Sequence, residues 1–338
     1  MRPKPSKLPA PMAISRRQAL ASLCAMPMLI KSAAAQTTWP TQAVRILLGQ
    51  PAGSGSDPMA RGLAPHLAAA FVQPFIVENM PGGGGVTAAA AVARATDDHT
   101  IGIVIGGPTT TAKALNPALA YDPAKDFRPI SLLNRSPFVL TVHPGTFVGK
   151  QFADVVDRAR AHPGSLSYAS IGPGTVSHLA MEELKSQLGL DIVHVPYRGF
   201  PQATLDLVAG RCQLMFNLAT AASEHVAAGR LVAAAQTGAK RLSILPDVPM
   251  LRELNPAFEP FFGWSGMIAP ASFPEARAQK LAEIVRSALA NDPGARGGLD
   301  RAGSEVLGTD PAELQSLRDN EAARWIRVIT KLGLRSAE

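Results

Sequence analysis

Between Gly49 and Leu63 the chain reads GQPAGSGSDPMARGL, small flexible residues running into an Asp-Pro pair and then a helical pattern. Three kinds of active loop share this look, and each makes a demand that can be checked. A phosphate cradle needs G-x-x-x-x-G-K-[ST], with a lysine for the terminal phosphates, and no lysine follows Gly49 before the helix. A dinucleotide loop needs a third glycine three positions after the second, but Pro58 stands there. A nucleophile elbow needs glycine two positions after its serine, whereas Gly53-Ser54-Gly55 has it at the next position and no His–acid pairing follows from spacing.

An anion site and an ordinary strand-to-helix turn remain. Asp57 followed by Pro58 suits an N-cap and first-turn pair. The loop Gln50-Pro51-Ala52-Gly53-Ser54-Gly55-Ser56-Asp57 then leads into a helix N-terminus, and the amides of Ser54 to Asp57 precede it, which favours an anion. Asp57 would be spent on capping. A second stretch, SYASIGPGTVSHLAMEEL, has the same grammar: it leaves a strand at Tyr168, passes Ser170, Ile171, Gly172 and Gly174, and enters a helix near Thr175 to His178. Two such helix starts facing one cleft would grip a carboxylate from both sides. Open α/β sheets bind ligands at the C-terminal ends of parallel strands, and hinge closure would expel water.

The other candidates each carry two readings. His178 either donates to a ligand or packs and caps. Arg198, beside Tyr197 in HVPYRGFP, either pairs with a second carboxylate or is a solvated charge. Asn217, ending QLMFN, either lines the cleft or makes a turn, and Trp264 in GWSG reads as core or hinge packing. The seven histidines are scattered without metal-ligand spacing, so no metal or cofactor is expected. Cys212 in GRCQLMF reads as a small buried hydrophobe.

These residues need a frame to hold them. AVRILLG, PFIVENM and TIGIVIGG are strand-like, separated by helical patterns from about Pro58 to Phe71 and over VTAAAAVARA. That is βαβαβ, with parallel strands and right-handed crossovers. The rhythm restarts after YDPAKDFRPI: FVLTVHPG, SLSYAS, DIVHVPY and QLMFN read as strands with helices between, and HVAAGRLVAAAQT as a short helix and a strand. From GWSGMIAP onward the chain reads as helical, ending in a long amphipathic helix.

The front of the chain is set apart. Residues 1–35 carry six basic residues and no acid, an apolar run from Ala19 to Ile30, and small residues at Ala33 and Ala35. This is an export signal, too short to span a bilayer, which takes about 20 apolar residues. SRRQAL with Lys31 after the run suits a twin-arginine address, and a general secretory signal is the alternative. The 33 Lys and Arg less these six leave 27 against 26 Asp and Glu. The charge of +7 therefore sits mostly in the leader, and a nucleic-acid partner loses its support. About 300 further residues exceed one core, so two lobes are expected.

The chain resembles the extracytoplasmic receptors of tripartite tricarboxylate transporters, the Bug-type solute-binding proteins, over nearly its whole length after the leader. The motifs that carry the resemblance are VENMPGGGG, YDPAKDFRPIS, SYASIGPGTVSHLA, VHVPYRGFPQATLDLVAGRCQLMF, LPDVPML and WSGMIAP, in that order. The resemblance implies a Venus-flytrap fold, two α/β lobes around a ligand cleft. It implies carboxylate binding by the loop Pro51 to Asp57 and by Ser170 to His178, with Gly107, Pro108 and Thr109 closing the pocket. Family ligands include tricarboxylates, dicarboxylates, acidic amino acids and aromatic acids. Where the family pattern reads P-F-x-P-G-G-G-x-D, this chain has Gln50 for the aromatic, Ala52 for the second proline and Ser54 for a glycine. Backbone donors survive such changes, while the pocket wall does not, so the ligand stays open.

The expectation is a periplasmic receptor, not an enzyme, with lobe 1 formed by 36–136 and 263–338 and lobe 2 by 137–262. It captures a small carboxylate as a monomer, needs no cofactor, and delivers its ligand to the membrane subunits of a tripartite carboxylate transporter. The rivals are an exported serine hydrolase using Ser54 or Ser170, and a ligand-sensing subunit of a signalling system.

Overall fold

Short aliphatic runs form the strands and alanine-rich stretches the helices, in a computed structural model that describes residues 39–147 and 151–335. The export signal expected over 1–35 lies outside the described residues. In chain order the elements are β1 (Val44–Leu48), α1 (Ser56–Phe71), β2 (Phe75–Asn79), a 3-10 turn (Gly83–Gly85), α2 (Val86–Ala93) and β3 (Thr100–Ile105). The short α3 (Gly106–Thr110) and α4 (Ala112–Leu115) precede β4 (Phe127–Val142). Next come α5 (Phe152–Ala161), β5 (Ser167–Ser170), α6 (Val176–Leu188), β6 (Val193–Pro196), α7 (Phe200–Val208), β7 (Leu214–Leu218), α8 (Ala219–Ala227) and β8 (Val232–Gln236). The chain closes with α9 (Leu251–Leu254), β9 (Phe262–Pro270), α10 (Glu275–Asn291), β10 (Glu305–Val306) and α11 (Pro311–Leu332).

The strands run in the order β2-β1-β3-β9-β4-β7-β5-β6, with β8 and β10 also paired to β4. β1 is parallel to β2 and β3, and β5 is parallel to β6 and β7, the pairing that two βαβ sets require. One strand joins the two sets. Residues Phe127 to Pro137 of β4 pair with β9, and Phe138 to Val142 pair with β7. β4 therefore starts at Phe127 rather than Phe138, in spite of Pro129 and Pro137; a register shift beside Pro129 absorbs the missing N–H.

GWSGMIAP is a strand, not the start of the helical section. β9 lies antiparallel between β3 and β4 and is buried on both faces from Trp264 to Pro270. A strand covered on both sides has no alternation for the eye to catch, and β10 is two residues long.

The pleat distributes the core. Ile46 and Leu48 of β1 join Met59, Leu63 and Leu67 of α1 and Leu281 and Val285 of α10 in one cluster. Leu47 points the other way, into a cluster with Ala88, Ala89, Val92, Trp264 and Leu314. A third cluster gathers Leu140, Tyr168, Leu179, Met215, Phe216 and the buried Cys212 with Trp325 and Ile329. Helix α11 thus packs Leu314 against the β1–β3 set and Trp325 against the β5–β7 set. Among the described residues no helix is long and apolar enough to cross a membrane.

Candidate functional site

The first loop is held by an acid in an unexpected role. Helix α1 begins at Ser56, with Gly55 at the N-cap position and no side-chain cap. Asp57 is not the cap: it lies inside the first turn, and its carboxylate reaches back to accept from the Gly53 N–H (3.1 Å) and from Asn79 Nδ2 (3.0 Å). Arg61 lies 3.1 Å from the same carboxylate. Pro58 has no N–H to lose and fits any place in the first turn, which lets the helix start two residues early. Burial pushes the Asp57 pKa up, but the Asn79, Gly53 and Arg61 contacts outweigh it, and the net shift is downward. Asn79 Nδ2 also donates to the Gln50 carbonyl (3.1 Å). Asp57 and Asn79 together clamp the loop from outside the cavity.

Inside lies a cavity of about 40 Å³, room for roughly three waters at 10–15 Å³ each. Its lining includes Gly55 and Ser56 at the start of α1, Gly106 and Gly107 at the start of α3, and Thr175, Val176 and Ser177 at the start of α6. Phe200 and Thr220 bring in the starts of α7 and α8. First-turn amides have no intrahelical partners, and each helix start carries a partial positive charge. Among the described residues, none that lines the cavity is an Asp, Glu, Lys, Arg or His. Such helix starts favour an anion over a cation, which would find no counter-charge among these residues.

Gln50, Asn134 and Ser265 add polar groups, while Ile105, Phe138, Ile171, Leu218, Trp264 and Leu299 supply apolar wall. The Ser56 and Ser265 hydroxyls stand 2.6 Å apart. Among the described residues no three His, Cys, Asp or Glu side chains group as metal ligands.

Close backbone contacts seal the cavity between the two sets of strands. Thr111 Oγ1 donates to the Gly174 carbonyl (3.0 Å). A Cβ on Gly107 would sit 2.7 Å from that same carbonyl oxygen, and one on Gly84 (φ +65°) would sit 2.7 Å from Thr175 Cγ2. The expected loop at Gly107 to Thr109 is a helical turn.

The second loop rests on a histidine pair, buried His178 and half-buried His194. The Gly174 N–H donates to His178 Nδ1 (3.2 Å), so Nδ1 carries no proton. Ser170 Oγ lies 2.7 Å from His194 Nε2 and accepts from the Gly172 N–H (3.1 Å). The two imidazole centroids are 4.4 Å apart, and His194 stacks on Tyr168 at 4.8 Å. Burial pushes both imidazoles down to about 4; Lys185 adds to the effect at His178, and His178 and Lys185 add to it at His194.

Of the expected site residues, Gln50, Gly55, Ser56, Gly107, Ile171 and Thr175 line the cavity. Gly53 and Ser54 line an adjoining groove with Pro201 and Thr204. Pro51 packs against Gly199, and Ala52 is exposed. The Pro108 carbonyl accepts from Tyr121 (2.8 Å), and Thr109 Oγ1 turns back to the Gly106 carbonyl (3.1 Å). Ser170, Gly172, Gly174 and His178 shape the second loop from behind. Tyr197 donates to Asp206 (2.9 Å), Arg198 is exposed, and Asn217 donates to Thr204 (2.9 Å). Sequence reasoning missed Asn134, Phe138, Phe200, Thr220, Ser265 and Leu299. The asparagine in ISLLNRSPFVL was a signal, a lone amide in an apolar strand.

The family model described as "Tripartite tricarboxylate transporter family receptor" matches residues 59–334. A protein of the tcbD-tcbE intergenic region of Pseudomonas sp. (strain P51) is 32% identical over 334 residues, 97% of this chain and 98% of that one. Two solved structures share the fold. A Rhodopseudomonas palustris protein solved with adipate is 30% identical with a TM-score of 0.81, over 88% of this chain and 100% of that one. MatC from the same organism, solved with bound malate, is 32% identical with a TM-score of 0.80, over 86% and 100%.

Proposed function

Because the chain belongs to the tripartite tricarboxylate transporter receptor family, we propose that it is a periplasmic receptor that closes two lobes on a small organic carboxylate. The two-lobed periplasmic-binding-protein fold is that of its structural relatives. We take lobe 1 to be 36–136 with 263–338 and lobe 2 to be 137–262, since β4 changes sheets at Pro137 and Phe138. The receptor then acts as a monomer, after loss of residues 1–35, and hands its ligand to the membrane subunits of a carboxylate transporter.

One observation carries this reading: several helix N-termini converge on a cavity lined by no charged side chain. Such a site suits an anion that must later be released, because no ion pair has to be broken. The relatives solved with adipate and malate support the same ligand class. Native mass spectrometry of the protein purified without denaturation should retain a small bound mass that is lost on unfolding. Calorimetry should then show binding of carboxylates and none of their amides. Equal binding of the amides, or binding that requires a metal or nucleotide, overturns the reading.

A hydrolase reading has one observation behind it, the 2.7 Å contact of Ser170 Oγ with His194 Nε2. Ser170 is 0% exposed and does not line the cavity. We expect no ester turnover, and turnover lost in Ser170→Ala would reverse that.

A further inference from the structure

We propose that Asn134 reads a hydroxyl group on the bound carboxylate, so that the ligand is a hydroxy acid rather than its deoxy counterpart. The inference rests on the carboxylate-receptor reading and adds what the opposite end of the ligand must carry.

Asn134 lines the cavity from β4 and is 6% exposed. Its amide orientation follows from a chain of donors. The Ser304 hydroxyl donates to the Arg135 carbonyl (2.9 Å), and a hydroxyl has a single hydrogen. Toward Asn134 that oxygen can therefore only accept, and it does so from Nδ2 (3.0 Å). Reversing the amide would set two acceptors against each other. Oδ1 is thereby turned away from Ser304, buried, and without a hydrogen-bond partner among the described residues. A buried acceptor left unpaired is costly, so a ligand that reaches Asn134 gains by bringing a donor.

The neighbours narrow that donor. Ser56 and Ser265, both in the lining, share one hydrogen across 2.6 Å, which leaves the second hydroxyl hydrogen free to donate. The corner thus offers one acceptor and one donor, the complement of a hydroxyl group, which gives one hydrogen and accepts another. A carboxylate oxygen on Asn134 Oδ1 would be acceptor against acceptor. An ammonium would satisfy Oδ1 but bring a positive charge among helix N-termini with no Asp or Glu in the lining. The carboxylate turns to the helix starts, the hydroxyl to Asn134, and the carbon skeleton to Phe138, Phe200 and Leu218.

Calorimetry on the mature protein with matched pairs decides the matter: lactate against propionate, malate against succinate, and alanine as the ammonium probe. We expect the hydroxy member of the better-bound pair to bind roughly tenfold to a hundredfold tighter, and alanine to bind no better than propionate. Asn134→Ala should bring the ratio to within about twofold, by weakening the hydroxy acid more than the deoxy acid. Equal affinities in the wild type mean that water satisfies Asn134, and they overturn the assignment whether or not the variant folds. A ratio that survives Asn134→Ala also overturns it. If neither member of any pair binds while another carboxylate does, this assignment fails and the receptor reading stands; if no carboxylate binds at all, the receptor reading fails and takes this inference with it.

Discussion

The indole N–H of Trp264 donates to the carboxylate of Glu321, so a wall of the cavity and the last long helix share one half-buried acid. The same carboxyl abuts Gly106 at the start of α3, and its Oε1 has no partner among the described residues. Burial raises the Glu321 pKa to about 7, against the opposing pull of Trp264 and Arg324.

Stability should therefore fall as pH rises through this range. A carboxyl whose folded pKa lies above its ordinary 4.5 binds more protons folded than unfolded, so its contribution is full below 4.5 and lost by about 7. The loss is on the order of 3 kcal/mol. Chemical denaturation across that window should show the slope, and Glu321→Gln should flatten it.

The histidine pair acts with the opposite sign. With folded pKa values of about 4 against 6.5, its contribution is full above pH 6.5 and is lost as pH falls toward 4. Protonating His178 removes the acceptor for the Gly174 N–H, so carboxylate affinity of the folded protein should drop as pH approaches about 4. His178→Asn puts an uncharged acceptor near the Nδ1 position. Measured in the Glu321→Gln background, where the opposing slope is gone, it should make affinity less sensitive to acid.

Closure depends on a bare backbone at Gly107. In Gly107→Ala the methyl group meets the Gly174 carbonyl at 2.7 Å, which holds the two loops apart. Affinity for a bound carboxylate should fall at least about tenfold, through faster release. The unfolding midpoint of the ligand-free protein should move little, and an unchanged release rate in stopped flow would contradict the account of closure.

The Asp57 clamp makes a separate prediction. Asp57→Ala leaves the Gly53 N–H and Asn79 Nδ2 without their acceptor, so stability should fall by about 1–3 kcal/mol and affinity with it. Asp57→Asn keeps one acceptor oxygen and should lie between. Full affinity in Asp57→Ala would mean that the loop holds its shape without the clamp.

Much of this molecule is legible in local sequence. The βαβαβ opening, the parallel pairing and the two glycine loops that enter helices follow from apolar runs of strand length, alanine-rich helical stretches and positions that need glycine. These are short-range properties, set by neighbours within a few residues. The order of motifs added the family, because VENMPGGGG through WSGMIAP stand in the order the family shows.

The cavity wall is another matter. Asn134, Ser265 and Trp264 lie on β4 and β9, strands whose place depends on partners far along the chain, and β9 itself showed no alternation because both its faces are covered. Asp57 read as a cap until Asn79 and Gly53 were seen within hydrogen-bonding reach. The sequence by itself determined most of the strands and helices of the two βαβ sets and that two glycine loops enter helices between them. Only the tertiary structure decided which helix starts meet, which side chains stand between them and which buried atom lacks a partner, because those are distances between residues that covalent order does not constrain.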